Sequence, residues 1–116
     1  MEDVTIWHNP RCSKSRASME ILRARGVAPR VVEYLEAPPS AAEIREVLGM
    51  LGLSPRALMR TNEAEYSELG LDGVEDEAAL IQAMVEHPIL IQRPIVIRDG
   101  RAVIGRPPEE VVSLLE

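Results

Sequence analysis

Apolar and polar positions alternate in patterns that divide the chain into three segments, the first reading strand, helix, strand. The short apolar run Val4–Trp7 indicates a strand. A helical pattern follows over residues 13–25, with Gly26 as its expected C-cap. A second strand is predicted over residues 30–34. Because both strands look buried and a helix-length crossover joins them, they are predicted to pair in parallel as a βαβ unit.

The middle of the chain has helical periodicity. Ser40 is followed three residues later by Glu43, a spacing typical of a capping box at the start of a helix. The periodicity predicts helices over Ala41–Leu51, from residue 54 to near residue 60, and from about Glu77 to Glu86, with a polar stretch between the last two.

The last segment reads strand, turn, strand, helix. The apolar runs Ile95–Arg98 and Arg101–Ile104 flank the dipeptide Asp99-Gly100, which is a strong hairpin signal. A final helix is predicted over residues 109–115, because prolines and acidic residues precede it and open it. Pro94 lies just before the first of these strands and is a candidate for a cis peptide bond.

The order of elements predicts an α/β fold. A βαβ half, a helical insertion at about residues 40–88 and a ββα half correspond to a thioredoxin-like, four-stranded mixed sheet with flanking helices. A length of 116 residues is sufficient for one compact domain, so residues 1–116 are assigned to a single domain.

Composition and charge exclude several classes of protein. With 19 acidic and 13 basic side chains, the formal net charge of −6 argues against a general nucleic-acid binder. No apolar run reaches the ~18 residues of a membrane span, and the first residues lack the pattern of a signal peptide, so a cytosolic location is expected. One cysteine and two distant histidines do not form a metal site, and no bound cofactor is expected.

The most informative residue is Cys12, the only cysteine in the sequence. It lies at the predicted turn from the first strand into the first helix. The N-terminus of a helix favours an anion, and a thiol in such a position can have a pKa lowered from ~8.5 to ~3.5–7.5. Because Cys12 has no cysteine partner in the sequence, any redox cycle must use a thiol from another molecule.

Three arginines could complete a site around this thiol. Arg60, Arg93 and Arg106 lie at the ends of predicted segments, and the planar guanidinium of arginine binds two oxygens of an oxyanion at once. His8, four residues before Cys12, is a second catalytic candidate that could donate a hydrogen bond to the thiolate or move a proton. It could equally be a loop histidine hydrogen-bonded to the backbone.

The sequence resembles the glutaredoxin-coupled arsenate reductases. The resemblance rests on the runs HNPRCSKSR (8–16), RALMR (56–60) and HPILIQRPIV (87–96), and further on YLEAPP (34–39) and IGRP (104–107). It implies that Cys12 attacks arsenate and that the oxyanion is bound by Arg60, Arg93 and Arg106. It also implies that glutathione, as co-substrate, resolves the arsenic–sulfur adduct, that a glutaredoxin supplies further reducing power, and that His8 helps to lower the pKa of the cysteine.

Two other functions stay open from the sequence. One is a non-catalytic regulator that uses the same fold to bind RNA polymerase, because related branches of the fold keep the cysteine and some of the arginines. The other is a glutathione-dependent thiol reductase with a different substrate. The spacing does exclude a phosphatase-type loop, which needs an arginine six positions after the cysteine, where this chain has Ser18.

Overall fold

A computed structural model describes residues 4–115, which divide into two compact units. The first unit contains the described residues up to Ala37 and from Arg93 onward, and the second is Pro38–Gln92. The second unit corresponds in sequence to the helical insertion predicted at about residues 40–88. Since residues 1–3 and 116 lie outside the described part of the chain, the assignment of 1–116 to a single domain stays a prediction.

The first unit contains the four-stranded mixed sheet that the element order predicted. Its strands are β1 (Val4–Trp7), β2 (Arg30–Val32), β3 (Ile95–Arg98) and β4 (Arg101–Ile104), in the spatial order β2-β1-β3-β4. Strand β1 pairs in parallel with β2 and antiparallel with β3, and β3 pairs antiparallel with β4. The predicted α/β, thioredoxin-like fold class is confirmed.

Strand β2 differs from its prediction in length and in burial. It ends at Val32 rather than residue 34, because the chain then turns, with the N–H groups of Glu36 and Ala37 donating to the carbonyl of Glu33. The expectation that this strand is buried is wrong, since Val31 is 41% exposed. The physical reason is its position at the edge of the sheet, where one side has no neighbouring strand.

The core of the first unit lies between the sheet and two helical segments, α1 (Ser13–Ala24) and a 3₁₀ helix, Pro108–Leu114. It consists of buried side chains from β1, α1, β3 and the 3₁₀ helix: Val4, Ile6, Met19, Leu22, Val96, Val111 and Leu114. The predicted C-terminal helix is therefore present, but with 3₁₀ geometry. Among the described residues, no helix combines the length and apolar character needed to cross a membrane.

The second unit is helical. It contains α2 (Ala41–Leu51), α3 (Pro55–Leu58), α4 (Ala64–Glu68) and α5 (Glu77–Glu86), with 3₁₀ turns at Leu71–Gly73 and Pro88–Leu90. Helices α2 and α3 both pack against α5. The buried side chains of α2 are those of Ile44, Val47 and Leu48, which recur at helical spacing.

Two parts of this unit differ from the sequence-based expectation. Helix α3 ends at Leu58 rather than residue 60, because Met59 leaves the helix and forms an antiparallel bridge with Ile91. The polar stretch, for which no helix was predicted, contains α4, which buries Tyr66. One buried residue in a helix of five mostly polar residues does not produce a recognisable hydrophobic periodicity.

We predict that Ser40→Ala lowers the free energy of unfolding by about 1 kcal/mol, the usual contribution of an N-cap side chain. The hydroxyl of Ser40 accepts the N–H of Glu43 at 3.1 Å, and the Glu43 carboxylate accepts the N–H of Ser40 at 2.8 Å. Urea unfolding measures the change. Ser67→Ala, at an exposed position inside α4, is the control, and an equal effect of both substitutions would contradict the capping role.

Candidate active site

Three segments leave the sheet at the same end. In the sheet register, Trp7 at the end of β1 pairs with Ile95 at the start of β3, and Ile95 pairs with Ile104 at the end of β4. The loop after β1, the residues just before β3 and the residues just after β4 therefore lie at the same end of the sheet. These segments carry Cys12, Arg93 and Arg106.

The loop that carries Cys12 is held by Asn9, whose side chain is buried. The carboxamide oxygen of Asn9 accepts the N–H of Arg11 at 3.0 Å, and its main-chain carbonyl accepts the N–H of Cys12 at 3.0 Å. The guanidinium of Arg16 donates to the carbonyl of Pro10 at 2.9 Å. These contacts fix the path of the backbone into α1 and thereby the position of the thiol.

Cys12 is the N-cap residue of α1, and its free thiol is partly exposed. Burial alone would raise the pKa of this thiol. The N–H groups of Ser15 and Lys14 and the side chain of Arg93 outweigh that effect, because their donor groups near the sulfur lower its pKa. The positive charge of Arg93 adds to them, so the pKa of Cys12 lies below its ordinary value. The direction of this shift agrees with the lowered pKa expected of a cysteine at a helix start.

Arg93 is the arginine that the structure places beside Cys12. Its guanidinium nitrogens Nε and Nη1 are buried and have no hydrogen-bond partner among residues 4–115. The Arg93–Pro94 peptide bond is cis, as the sequence suggested, and so is the Arg106–Pro107 bond. Arg106 is exposed and donates from Nη1 to the main-chain carbonyl of Arg93 at 3.1 Å.

Arg60 belongs to the helical unit. It follows Met59, beyond the end of α3, and its Nε donates to the carboxylate of Glu63 at 3.0 Å. Its main-chain N–H donates to the carbonyl of Leu90. Its predicted contribution to binding an oxyanion stays a prediction.

His8 contacts Ser15 rather than the thiol. Its Nδ1 atom lies 2.6 Å from the hydroxyl of Ser15, which also accepts the N–H of Asn9 at 3.0 Å. Burial lowers the pKa of His8. The carboxylate of Glu33 raises this pKa, and two arginines of α1, Arg16 and Arg23, lower it further, with a net decrease. The lowered pKa favours the neutral imidazole, whose contact with α1 is through Ser15.

Ser15 is the functional residue that the sequence reading missed. Its side chain is fully buried and joins His8 to the Cys12 loop, while its N–H lowers the pKa of the thiol. A signal for it does exist. Ser15 precedes Met19 by four residues and Leu22 by seven, so it lies on the buried face of α1, where a hydroxyl needs a specific partner.

The chemistry of this site is that of a nucleophilic thiolate next to a fixed cation. Within residues 4–115, no three His, Cys, Asp or Glu side chains cluster in a way that could hold a metal ion. The groups at hand are the sulfur of Cys12, the N–H donors of α1 and the buried guanidinium of Arg93. Such a set can hold an oxyanion and attack its central atom.

We predict that Arg93→Gln raises the pKa of Cys12, because it removes the charge and the hydrogen bond that stabilise the thiolate. Below the pKa, the thiolate fraction falls faster than the nucleophilicity of the remaining thiolate rises. Alkylation of Cys12 by iodoacetamide at mildly acidic pH should therefore slow several-fold, and its pH profile should move to higher pH.

Arg11→Gln is the matched control for this measurement. Arg11 is the exposed arginine next to Cys12 in the chain, and its side chain is not among the groups that shift the thiol. A pH profile displaced equally by both substitutions would mean that net charge, rather than the placement of Arg93, controls the thiol.

Comparison with known proteins adds independent evidence. A family model described as the ArsC family matches residues 7–114. The chain is 46% identical to the arsenate reductase of Neisseria meningitidis over 99% of this chain and 100% of that protein. It is 53% identical to the uncharacterised Escherichia coli protein YfgD, over 98% of each. Among solved structures, the arsenate reductase from Vibrio cholerae has a TM-score of 0.94 at 47% identity, with 97% of this chain and 98% of that chain covered.

Proposed function

The chain belongs to the ArsC family, and on this basis we propose that it reduces arsenate to arsenite through nucleophilic attack by Cys12. The observation that carries the proposal is the buried guanidinium of Arg93 beside the sulfur, with two nitrogens that have no hydrogen-bond partner among residues 4–115. The relatives named arsenate reductases support arsenate as the oxyanion.

The first step is the attack of the Cys12 thiolate on arsenic. A sulfur–arsenic bond forms, and one arsenate oxygen leaves as water after protonation. Donors fixed in place before the reaction stabilise the charge that develops on the arsenate oxygens. We assign this role to Arg93, Arg106 and Arg60, and we assign to His8 the positioning of the Cys12 loop through Ser15.

The second step needs a thiol from another molecule, because the sequence has no second cysteine. We propose that glutathione supplies it. Two thiols are oxidised to one disulfide, which provides the two electrons that convert arsenic(V) to arsenic(III), and arsenite leaves. A glutaredoxin then reduces the mixed disulfide by thiol–disulfide exchange and restores Cys12. The cytosol keeps such thiols reduced, which makes it the compartment we propose for the protein.

We predict that Cys12→Ser abolishes arsenate-dependent oxidation of NADPH in an assay coupled through glutathione, a glutaredoxin and glutathione reductase. A serine hydroxyl is not ionised at neutral pH and cannot form the disulfide. Reactions without arsenate, or with phosphate in its place, give the background rate. Absence of turnover by the wild-type protein with an active glutaredoxin would contradict the proposal.

We also predict that replacing Arg60, Arg93 or Arg106 with alanine lowers kcat/KM for arsenate by about 10- to 100-fold, since a hydrogen bond to a charged group contributes about 1.5–3 kcal/mol. Steady-state kinetics in the same coupled assay measures the effect. Arg45→Ala, at an exposed position of α2, is the control. Co-purification of RNA polymerase with the wild type and equally with all three variants, without arsenate turnover, would favour the regulator instead.

A further inference from the structure

Gly105 directly follows β4 and is buried between two parts of the active site. A Cβ atom built on it would lie 2.4 Å from the hydroxyl oxygen of Ser18 and 2.8 Å from Cγ of Pro94. Both distances are well below ordinary van der Waals contact, which begins near 3.4 Å. The backbone at this position therefore approaches its neighbours more closely than any residue with a side chain could.

The two neighbours of Gly105 belong to the segments that hold the thiol and the guanidinium of the site. Ser18 lies on α1, whose N-cap is Cys12, and Pro94 directly follows Arg93. The N–H of Gly105 donates to the carbonyl of Pro94 at 2.9 Å, which ties the two strand ends together. Gly105 thus lies between the element that holds the thiol and the segment that holds the guanidinium.

We propose that Gly105 is a positioning residue: the absence of a side chain lets α1 and the Arg93–Pro94 segment approach closely enough for Arg93 to face Cys12. A methyl group at this position would push α1 and the Arg93–Pro94 segment apart. The Ser18 hydroxyl could rotate away from it, because it ends a flexible side chain. The Pro94 ring is closed and buried, so the displacement would fall on the segment that carries Arg93.

Ser18 supports the same conclusion. Its side chain is fully buried, and its hydroxyl has no hydrogen-bond partner among residues 4–115. A buried hydroxyl without a partner is unfavourable, so hydrogen bonding does not account for serine at this place. Its small volume does, because a larger side chain on this face of α1 would also press against Gly105.

The positioning role of Gly105 deepens the proposed function and rests on it. The role can nevertheless be tested on the Cys12 thiol without arsenate. The thiolate of Cys12 is titrated by its ultraviolet absorbance, and its alkylation by iodoacetamide is followed at mildly acidic pH. In Gly105→Ala we expect the titration to move to higher pH and the alkylation to slow several-fold. The shift should not exceed that of Arg93→Gln, since the added methyl group weakens the interaction that Arg93→Gln removes.

A double substitution separates positioning from general destabilisation. If Gly105 acts through Arg93, Gly105→Ala adds nothing to Arg93→Gln, and the titration of the double variant equals that of Arg93→Gln alone. Adding Ser18→Ala to Gly105→Ala should leave the shift nearly unchanged, because the contact with the Pro94 ring, which cannot rotate away, remains. Additive effects of Gly105→Ala and Arg93→Gln would overturn the inference.

Gly49→Ala is the matched control. A Cβ at Gly49, inside α2, would meet nothing within 4 Å, so the thiol of this variant should titrate as in the wild type. If Gly105→Ala does not fold, Ser18→Thr adds a single methyl group to the opposite side of the contact and should give a smaller shift in the same direction. If Gly105→Ala, or Ser18→Thr in its place, is folded and its thiol titrates as in the wild type, the positioning role is contradicted. The test holds even if the protein does not reduce arsenate.

Discussion

The Cys12 sulfur and the Arg93 guanidinium form the interaction on which the site depends. Both groups are partly removed from water, and burial by itself opposes ionisation of the thiol. The pKa of Cys12 is lowered all the same, because two N–H groups at the start of α1 and one arginine offset the lost hydration. An interaction of this kind weakens quickly with distance, so the fold must hold two separate backbones at a defined spacing.

The sheet provides that spacing. Strands β1 and β3 are antiparallel neighbours, so the end of one and the start of the other lie side by side, with Trp7 opposite Ile95. Cys12 is reached a few residues after β1, and Arg93 lies shortly before β3. The hydrogen bonds of Asn9 fix the first connection, and the main-chain bond from Gly105 to Pro94 fixes the second.

The sequence was sufficient to predict the features that depend on local patterns. The bounds of β1, β3 and β4, the capping box at Ser40 and the position of Cys12 at a helix start all follow from short-range periodicity and residue type. Strand β2 was predicted too long and too buried, because its exposure depends on the order of strands in the sheet. Helix α4 was missed, because five mostly polar residues give almost no periodic signal.

At the site, the sequence identified groups by their chemistry but not by their contacts. His8 was considered as a donor to the thiol, whereas its hydrogen bond goes to Ser15, seven residues away. Arg93 was placed on an equal footing with Arg60 and Arg106, yet Arg93 is the one of the three that lowers the pKa of Cys12. The closeness of Gly105 to Ser18 and Pro94 joins three segments distant in the chain. Such contacts arise only when the fold is formed.

The donors from the start of α1 have a consequence for how this site tolerates sequence change. The N–H groups of Lys14 and Ser15 belong to the main chain, so every substitution except proline preserves them as long as the helix begins at the same residue. The contribution of Arg93, by contrast, is lost with a single codon change. The main-chain contribution to the low pKa of the thiol therefore tolerates most substitutions, whereas the contribution of Arg93 depends on keeping that one side chain.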